Sequence, residues 1–209
     1  MNHLRPTERN ILVGIDVQND FITGSLAVND GEQVIAPLNA VADVVRQQQG
    51  DVIFTRDWHP VDTPHFAAWP VHCVAETDGA RFHSNLRVTT GDIIINKGTG
   101  QTDGYSAWEG QTDDGRTLET LLQPTETQKK VRVFLGGLAT DYCVKATACD
   151  IAQYFANDER VATYLLRDAV RAVNLRPDDE AVALAAMKES GVRILTSGEA
   201  ITMITGGQS

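Results

Sequence analysis

Six short apolar runs, separated by segments of helical period, constrain the fold of this chain more than any other feature. They lie at residues 11–17, 52–55, 93–95, 131–135, 163–166 and 194–195. Runs this short and this continuously apolar fit strands covered on both faces. Between the first two, Val34, Ile35, Leu38, Val41, Ala42 and Val45 recur on one stripe, with Gly50 as a stop. Pro37 fits only a first turn, so this helix is expected to begin near Ala36. A short helix fits residues 116–123, a longer one 141–157, and a third 177–190, opening on Pro177 and stopping at Gly191. The alternation predicts an α/β fold: one single-domain, three-layer, Rossmann-like unit with a mostly parallel sheet of about six strands and helices on both faces. The core is expected over about residues 11–195, with a frayed tail at 206–209. Such sheets bind ligands beyond the carboxyl ends of their strands, so the residues that end the runs carry the functional argument.

Composition narrows the function classes. The chain has 209 residues, 42% hydrophobic and 22% charged, ordinary for a globular domain. Its formal net charge of −10 argues against nucleic-acid or anionic-membrane partners, which attract basic surfaces. No apolar run approaches the roughly 18 residues that span a bilayer. The N-terminal MNHLRPTERN has neither an apolar signal core nor a transit-peptide character. Cys73, Cys143 and Cys149 form neither a zinc-ribbon spacing nor a redox C-x-x-C. The expectation is a reduced, cytoplasmic protein with a small-molecule partner; a homo-oligomer is compatible with it.

Three of the runs end on chemistry. The first ends GIDVQNDF, placing Asp16 within apolar surroundings, where a carboxylate is costly unless partnered. Alone, it could equally cap a turn, while Asn19 and Asp20 shape the following loop. The third ends IIINKG, and Lys97 either turns inward or snorkels to solvent. The fourth, VRVFLGG, leads through Thr140 and Asp141, either of which could cap, into a helix with Cys143 in its first turn. There the helix dipole favours a thiolate, although a small buried hydrophobe is the commoner fate of a free cysteine. Taken together the three ends would open on one edge of a parallel sheet, converging as base, electrostatic stabiliser and nucleophile.

Residues 56–87 break the alternation, and they hold four of the five histidines and two of the three tryptophans. Long irregular segments in compact domains are more often functional than not. Asp57 and His59 at i, i+2 point the same way on extended backbone, and His65 and His72 follow within the same 16 positions. One carboxylate and three imidazoles suit a divalent transition metal such as Zn, Fe or Mn; a hydrated polar loop is the alternative. His83 and Cys73 read as structural, Cys149 as packed, and His3 lies in the tail. The segment KGTGQTDG runs G-x-G-x-x-x-G and lacks the spacing of a dinucleotide loop.

The motifs DVQNDF, TRDWHP, PHF, WPVHC, NKGT and GGLATDYCV, in that order across almost the whole chain, resemble the nicotinamidase/pyrazinamidase branch of the isochorismatase-like cysteine hydrolases. The resemblance implies a triad of Asp16, Lys97 and Cys143 and a metal site of Asp57, His59, His65 and His72. It further implies a cis peptide between Leu138 and Ala139, an oxyanion hole from the amides of Ala139 and Cys143, and an aromatic pocket of Phe21, Trp69 and Tyr105. The implied activity is hydrolysis of nicotinamide to nicotinate and ammonia through a cysteine thioester, a step of pyridine nucleotide salvage. Another small amide such as an N-carbamoyl compound, or a non-catalytic binding module, are the competing readings. Two departures from the family pattern stand out: only six residues, 66–71, separate His65 from His72, and Tyr142 precedes the cysteine where histidine is common.

Overall fold

The computed structural model describes residues 7–100 and 103–206. His3, residues 101–102 of the glycine-bearing segment and residues 207–209 of the tail lie outside the described residues. Six strands form one sheet: β1 (Glu8–Ile15), β2 (Asp51–Asp57), β3 (Ile93–Lys97), β4 (Lys130–Leu138), β5 (Val161–Arg171) and β6 (Arg193–Leu195). Their order is β3-β2-β1-β4-β5-β6 and every pairing is parallel. The chain winds from β1 to β3 towards one edge and from β4 to β6 towards the other. The topological switch point therefore lies between β1 and β4, where ligands bind in sheets of this kind.

Alternate residues of each strand feed the two faces. Leu12, Phe54, Phe134 and Leu166 pack on one side against Leu38, Val41 and Val45 of helix α2 (Ile35–Gln47). Ala200 and Ile204 of the C-terminal helix complete that layer. Ile11, Val13, Ile53, Val133 and Leu165 face the opposite layer, built from Leu118 and Leu122, Val144, Ala148 and Ile151, and Met187. Burying each such Val, Leu or Ile side chain contributes about 1.5–3 kcal/mol, which holds short strands in register. In chain order the helices are α1 (Asn19–Ile22), α2, α3 (Leu118–Leu122), α4 (Lys145–Tyr154), α5 (Asp179–Glu189) and α6 (Ser197–Thr205). Among the described residues, no helix is long and apolar enough to cross a membrane.

Three local features differ from the sequence expectation. After α2 the left-handed position is taken by Gln49, at φ 58°, rather than by Gly50. Pro177 precedes α5 by two residues instead of opening it. Helix α6, which has no counterpart in the periodicity reading, is fixed by a capping box: Thr196 Oγ1 accepts from the Glu199 amide and Glu199 accepts from the Thr196 amide. Residues 56–87 are irregular apart from the end of β2 and one 3₁₀ turn, Pro64–Ala67.

The middle of the sheet is shaped by Gly137. Its φ is 123°, and a Cβ there would stand 2.0 Å from the Ile15 carbonyl oxygen, so only glycine fits. The β4–β5 register shifts between Leu135 and Gly137, a bulge-like irregularity just before β4 ends.

Candidate active site

Asp16, immediately after β1, is wholly buried and takes φ 51°; its amide donates to the Thr55 carbonyl and its Oδ1 accepts from Thr55 Oγ1 at 2.6 Å. Lys97, the last residue of β3, is 1% exposed. Its Nζ lies 2.8 Å from Asp16 Oδ2 and 2.5 Å from Asp57 Oδ1, and it donates to the Gly104 carbonyl at 3.0 Å. The same ammonium reaches Cys143 Sγ at 3.4 Å. Carboxylate oxygens of Asp16 and Asp57 and the sulfur of Cys143 all fall within 4.8 Å of one another. Four groups far apart in sequence thus meet at the carboxyl ends of β1, β2, β3 and β4.

Electrostatics divides their states. Burial raises the Asp16 carboxyl, Lys97 opposes that, and the group comes to about 6. Asp57 is buried as deeply, which on its own would raise its carboxyl, yet Lys97 and His59 hold it well below the usual carboxylate range. Burial works against the Lys97 ammonium, but the two carboxylates hold its proton well above the ordinary lysine value. Burial also drives the Cys143 thiol well above its ordinary value, with Lys97 only partly offsetting it. The sequence reading expected a thiolate favoured by a helix dipole. In the folded site desolvation wins, so the sulfur rests protonated beside a carboxylate that is ionised at neutral pH.

The nucleophile turn also differs from expectation. Thr140–Val144 form a π-turn, closed by the Val144 amide on the Ala139 carbonyl at 3.2 Å, before α4 begins at Lys145. Neither Thr140 nor Asp141 caps it: the N-cap position is Ala139, with no side-chain cap. The wider turn, one of the bulges that recur at functional sites, brings Cys143 back over the strand ends. The Leu138–Ala139 peptide bond is cis. Ala139 and Cys143 both line the adjoining cavity.

Beside this group, His59, His65 and His72 are buried and bring a ring nitrogen each within 4.8 Å of the others. Asp57 Oδ2 faces them, 3.7 Å from His59 Nε2 and 4.0 Å from His72 Nε2. Asp57 therefore bridges the two clusters, with one oxygen on Lys97 and the other on the imidazoles. The Nδ1 atoms are all engaged: His59 on the Gly98 carbonyl at 2.9 Å, His72 on the Pro70 carbonyl at 2.7 Å, and His65 on Asp103 Oδ1 at 3.0 Å. Such partners fix the tautomer that leaves Nε2 with a free lone pair. His59 Nε2 is buried with no hydrogen-bond partner, and burial lowers the His72 pKa, favouring the neutral ring. Three imidazoles with ring nitrogens gathered beside a carboxylate, one of them buried without a partner, fit a divalent transition metal. Gly98 allows the close approach: at φ 63°, it lies where a Cβ would stand 2.5 Å from the His59 ring.

Residues 10–199 match the model of the isochorismatase domain family. The chain belongs to the isochorismatase family. It is 33% identical to the nicotinamidase/pyrazinamidase of Mycobacterium tuberculosis, over 89% of this chain and 98% of that protein. The pyrazinamidase of Pyrococcus horikoshii, solved in complex with zinc, superposes with a TM-score of 0.75 at 36% identity, covering 91% of this chain and 99% of that one. PnC1 from L. infantum, solved in complex with nicotinate, gives a TM-score of 0.76 at 32% identity over 92% and 95% of the two chains.

In this isochorismatase-family chain Asp57 and Cys143 of one cluster and His65 and His72 of the other line a single cavity. Phe21, Trp69 and Tyr105 line it as the resemblance implied, and Leu26, Val28, Tyr142 and Val173 add apolar wall. Trp69 Nε1 donates to Tyr105 Oη at 2.8 Å, and the Tyr142 ring packs against both, with centroids 5.0 and 5.7 Å away. Tyr142, unexplained in the sequence, thus closes an aromatic wall over the short 66–71 segment. Sequence reasoning missed several supporting residues. Gln18 clamps Asp57 by accepting from its amide and donating to its carbonyl, both at 2.8 Å. Its place inside DVQNDF, between two acidic positions, was the available signal. Asp20 Oδ2 accepts from the Cys73 amide at 2.7 Å and so fixes the backbone beside His72. Asp103 and Val173 sit in stretches with no pattern that marks them.

Proposed function

We propose that this protein is a nicotinamidase, a single catalytic domain that hydrolyses nicotinamide to nicotinate and ammonia. What supports it best is one cavity lined by the Cys143 thiol, the Asp57 carboxylate and the His65 and His72 rings and walled by aromatic side chains, with Asp16 and Lys97 buried behind the sulfur and His59 beside the other two imidazoles. A ring amide placed there has its carbonyl at the sulfur and its ring nitrogen towards the histidines. The nicotinamidases and pyrazinamidases among its relatives support the same substrate class.

In the reaction, Asp16 takes the proton from Cys143 Sγ as the sulfur attacks the amide carbon. The carbonyl π-electrons move to oxygen, and the amides of Ala139 and Cys143 hold that oxyanion. Asp16 then passes the proton to the amide nitrogen, the C–N bond breaks, and ammonia leaves a thioester on Cys143. A water gives a proton to Asp16 and adds to the thioester carbon. Collapse of that adduct releases nicotinate and returns a proton to the sulfur. Throughout, Lys97 holds Asp16 and Asp57 in place and offsets negative charge developing at the sulfur. A divalent metal, zinc, iron or manganese, held by Asp57, His59, His65 and His72, would bind the pyridine nitrogen and orient the ring. Phe21, Trp69 and Tyr105 stack against the ring and exclude water.

The test is ammonia release from nicotinamide by the native protein and by Cys143→Ala. The variant is expected to lose turnover while keeping metal and nicotinamide binding. Substantial residual turnover in it refutes nucleophilic catalysis by this sulfur.

A further inference from the structure

We infer that Asp141 is a positioning residue that holds the Val173 wall of the cavity and thereby sets which ring sizes are accepted, an inference that builds on the reading of the cavity as a ring-amide site. Asp141 is buried, two positions before Cys143, and touches none of the reacting groups named above. Its carboxylate spans outward from the π-turn. Oδ1 accepts from the Val173 amide at 3.0 Å and Oδ2 from the Asn174 amide at 2.9 Å.

These two amides lie where the sheet can no longer hold them. The β4–β5 ladder ends at Leu138↔Arg171, because β4 then turns at Ala139 into the π-turn. Beyond Arg171 the exit of β5 has lost its neighbouring strand, and Asp141 supplies the missing acceptors. Asn174 takes φ 53°, and its own Oδ1 accepts from the Glu180 amide at 2.9 Å in the first turn of α5. One carboxylate thus ties the nucleophile turn to the β5–α5 connection and, through Asn174, to α5. Val173 is the single residue of that connection that lines the cavity. The two oxygens of one carboxylate thus meet both amides at once, where strand pairing no longer can.

Two variants test it. Asp141→Asn keeps the shape and one acceptor oxygen, while its NH₂ cannot accept from an amide; Asp141→Ala removes both acceptors. The first readout is amide hydrogen exchange at Val173 and Asn174, measured without substrate. Exchange is expected to quicken by at least about 10-fold in Asp141→Ala, the loss of a charged hydrogen bond, and by less in Asp141→Asn. The second is selectivity. The preference in kcat/KM for nicotinamide over a pyridine amide bearing one extra ring methyl should fall about 10-fold, with KM for nicotinamide rising more than kcat falls. If Asp141→Ala does not fold, Asp141→Asn carries both readouts. Native exchange at both amides overturns the positioning role, and quickened exchange with unchanged selectivity overturns its link to ring size. A native protein that leaves nicotinamide intact refutes the proposed activity instead, and the exchange result still decides the positioning role.

Discussion

Replacing Lys97 by methionine tests the electrostatic centre of the site. The ammonium is buried between two carboxylates, at 2.8 and 2.5 Å, and touches the sulfur at 3.4 Å. Removing one member of a buried ion pair typically costs about 3–5 kcal/mol, because the partner is left charged and desolvated. For a chain of this length about 2–4 °C of Tm goes with each kcal/mol, so Lys97→Met should melt roughly 6–20 °C below the native protein. The melt is best followed in chelator, where no bound cation can stand in for the ammonium. Without Lys97 the Asp16 carboxyl, already raised to about 6 by burial against the opposing pull of that lysine, moves higher still and is protonated at neutral pH. The base is then lost, and ammonia release should fall at least about 100-fold. Adding Asp57→Asn removes the second uncompensated charge. The double variant should regain at least about half of the lost stability while staying inactive, since the cost lay in the stranded charge. A single variant that melts within about 2 °C of native and turns over normally would refute the reasoning.

Two further outcomes follow from the same geometry. Asp16 must be ionised to act, so kcat/KM should be full above its folded value of about 6 and fall as pH drops through it. Asp16→Asn should be inactive at every pH, and an acid limb near 4 would contradict the burial argument. Stripping the metal should raise KM for nicotinamide about 10-fold or more, with zinc restoring it. An unchanged KM in metal-free protein would remove the imidazole cluster from substrate binding.

All six strands, and the convergence of their ends, were readable because doubly covered strands need near-continuous apolar runs, and six runs in this chain have that character. The burial of Asp16 and Lys97 in the candidate site was readable for the converse reason: they are charges at the ends of apolar strands, which is costly without partners. What failed depended on tertiary burial. The thiol state could not be inferred from a helix start, because the sulfur's desolvation is set by groups brought from β1, β2 and β3. The π-turn likewise arises from how β4 leaves the sheet, and helical period alone does not encode it. Helix α6 was a different omission. The Thr196–Glu199 capping signature ahead of ITMI was present in the sequence, just past residue 195 where the expected core ended. Asp103, Val173 and the staple at Asp141 act through one or two contacts across the fold, and no local pattern announces them.

The most direct test of the central claim is acid quenching of the protein during turnover of nicotinamide, followed by peptide mapping for an acyl group. The account predicts a nicotinoyl thioester on the Cys143 peptide that appears with the first ammonia and decays as nicotinate forms. Full ammonia release with no acyl group on that sulfur at any time, or with the acyl group on another residue, would contradict it.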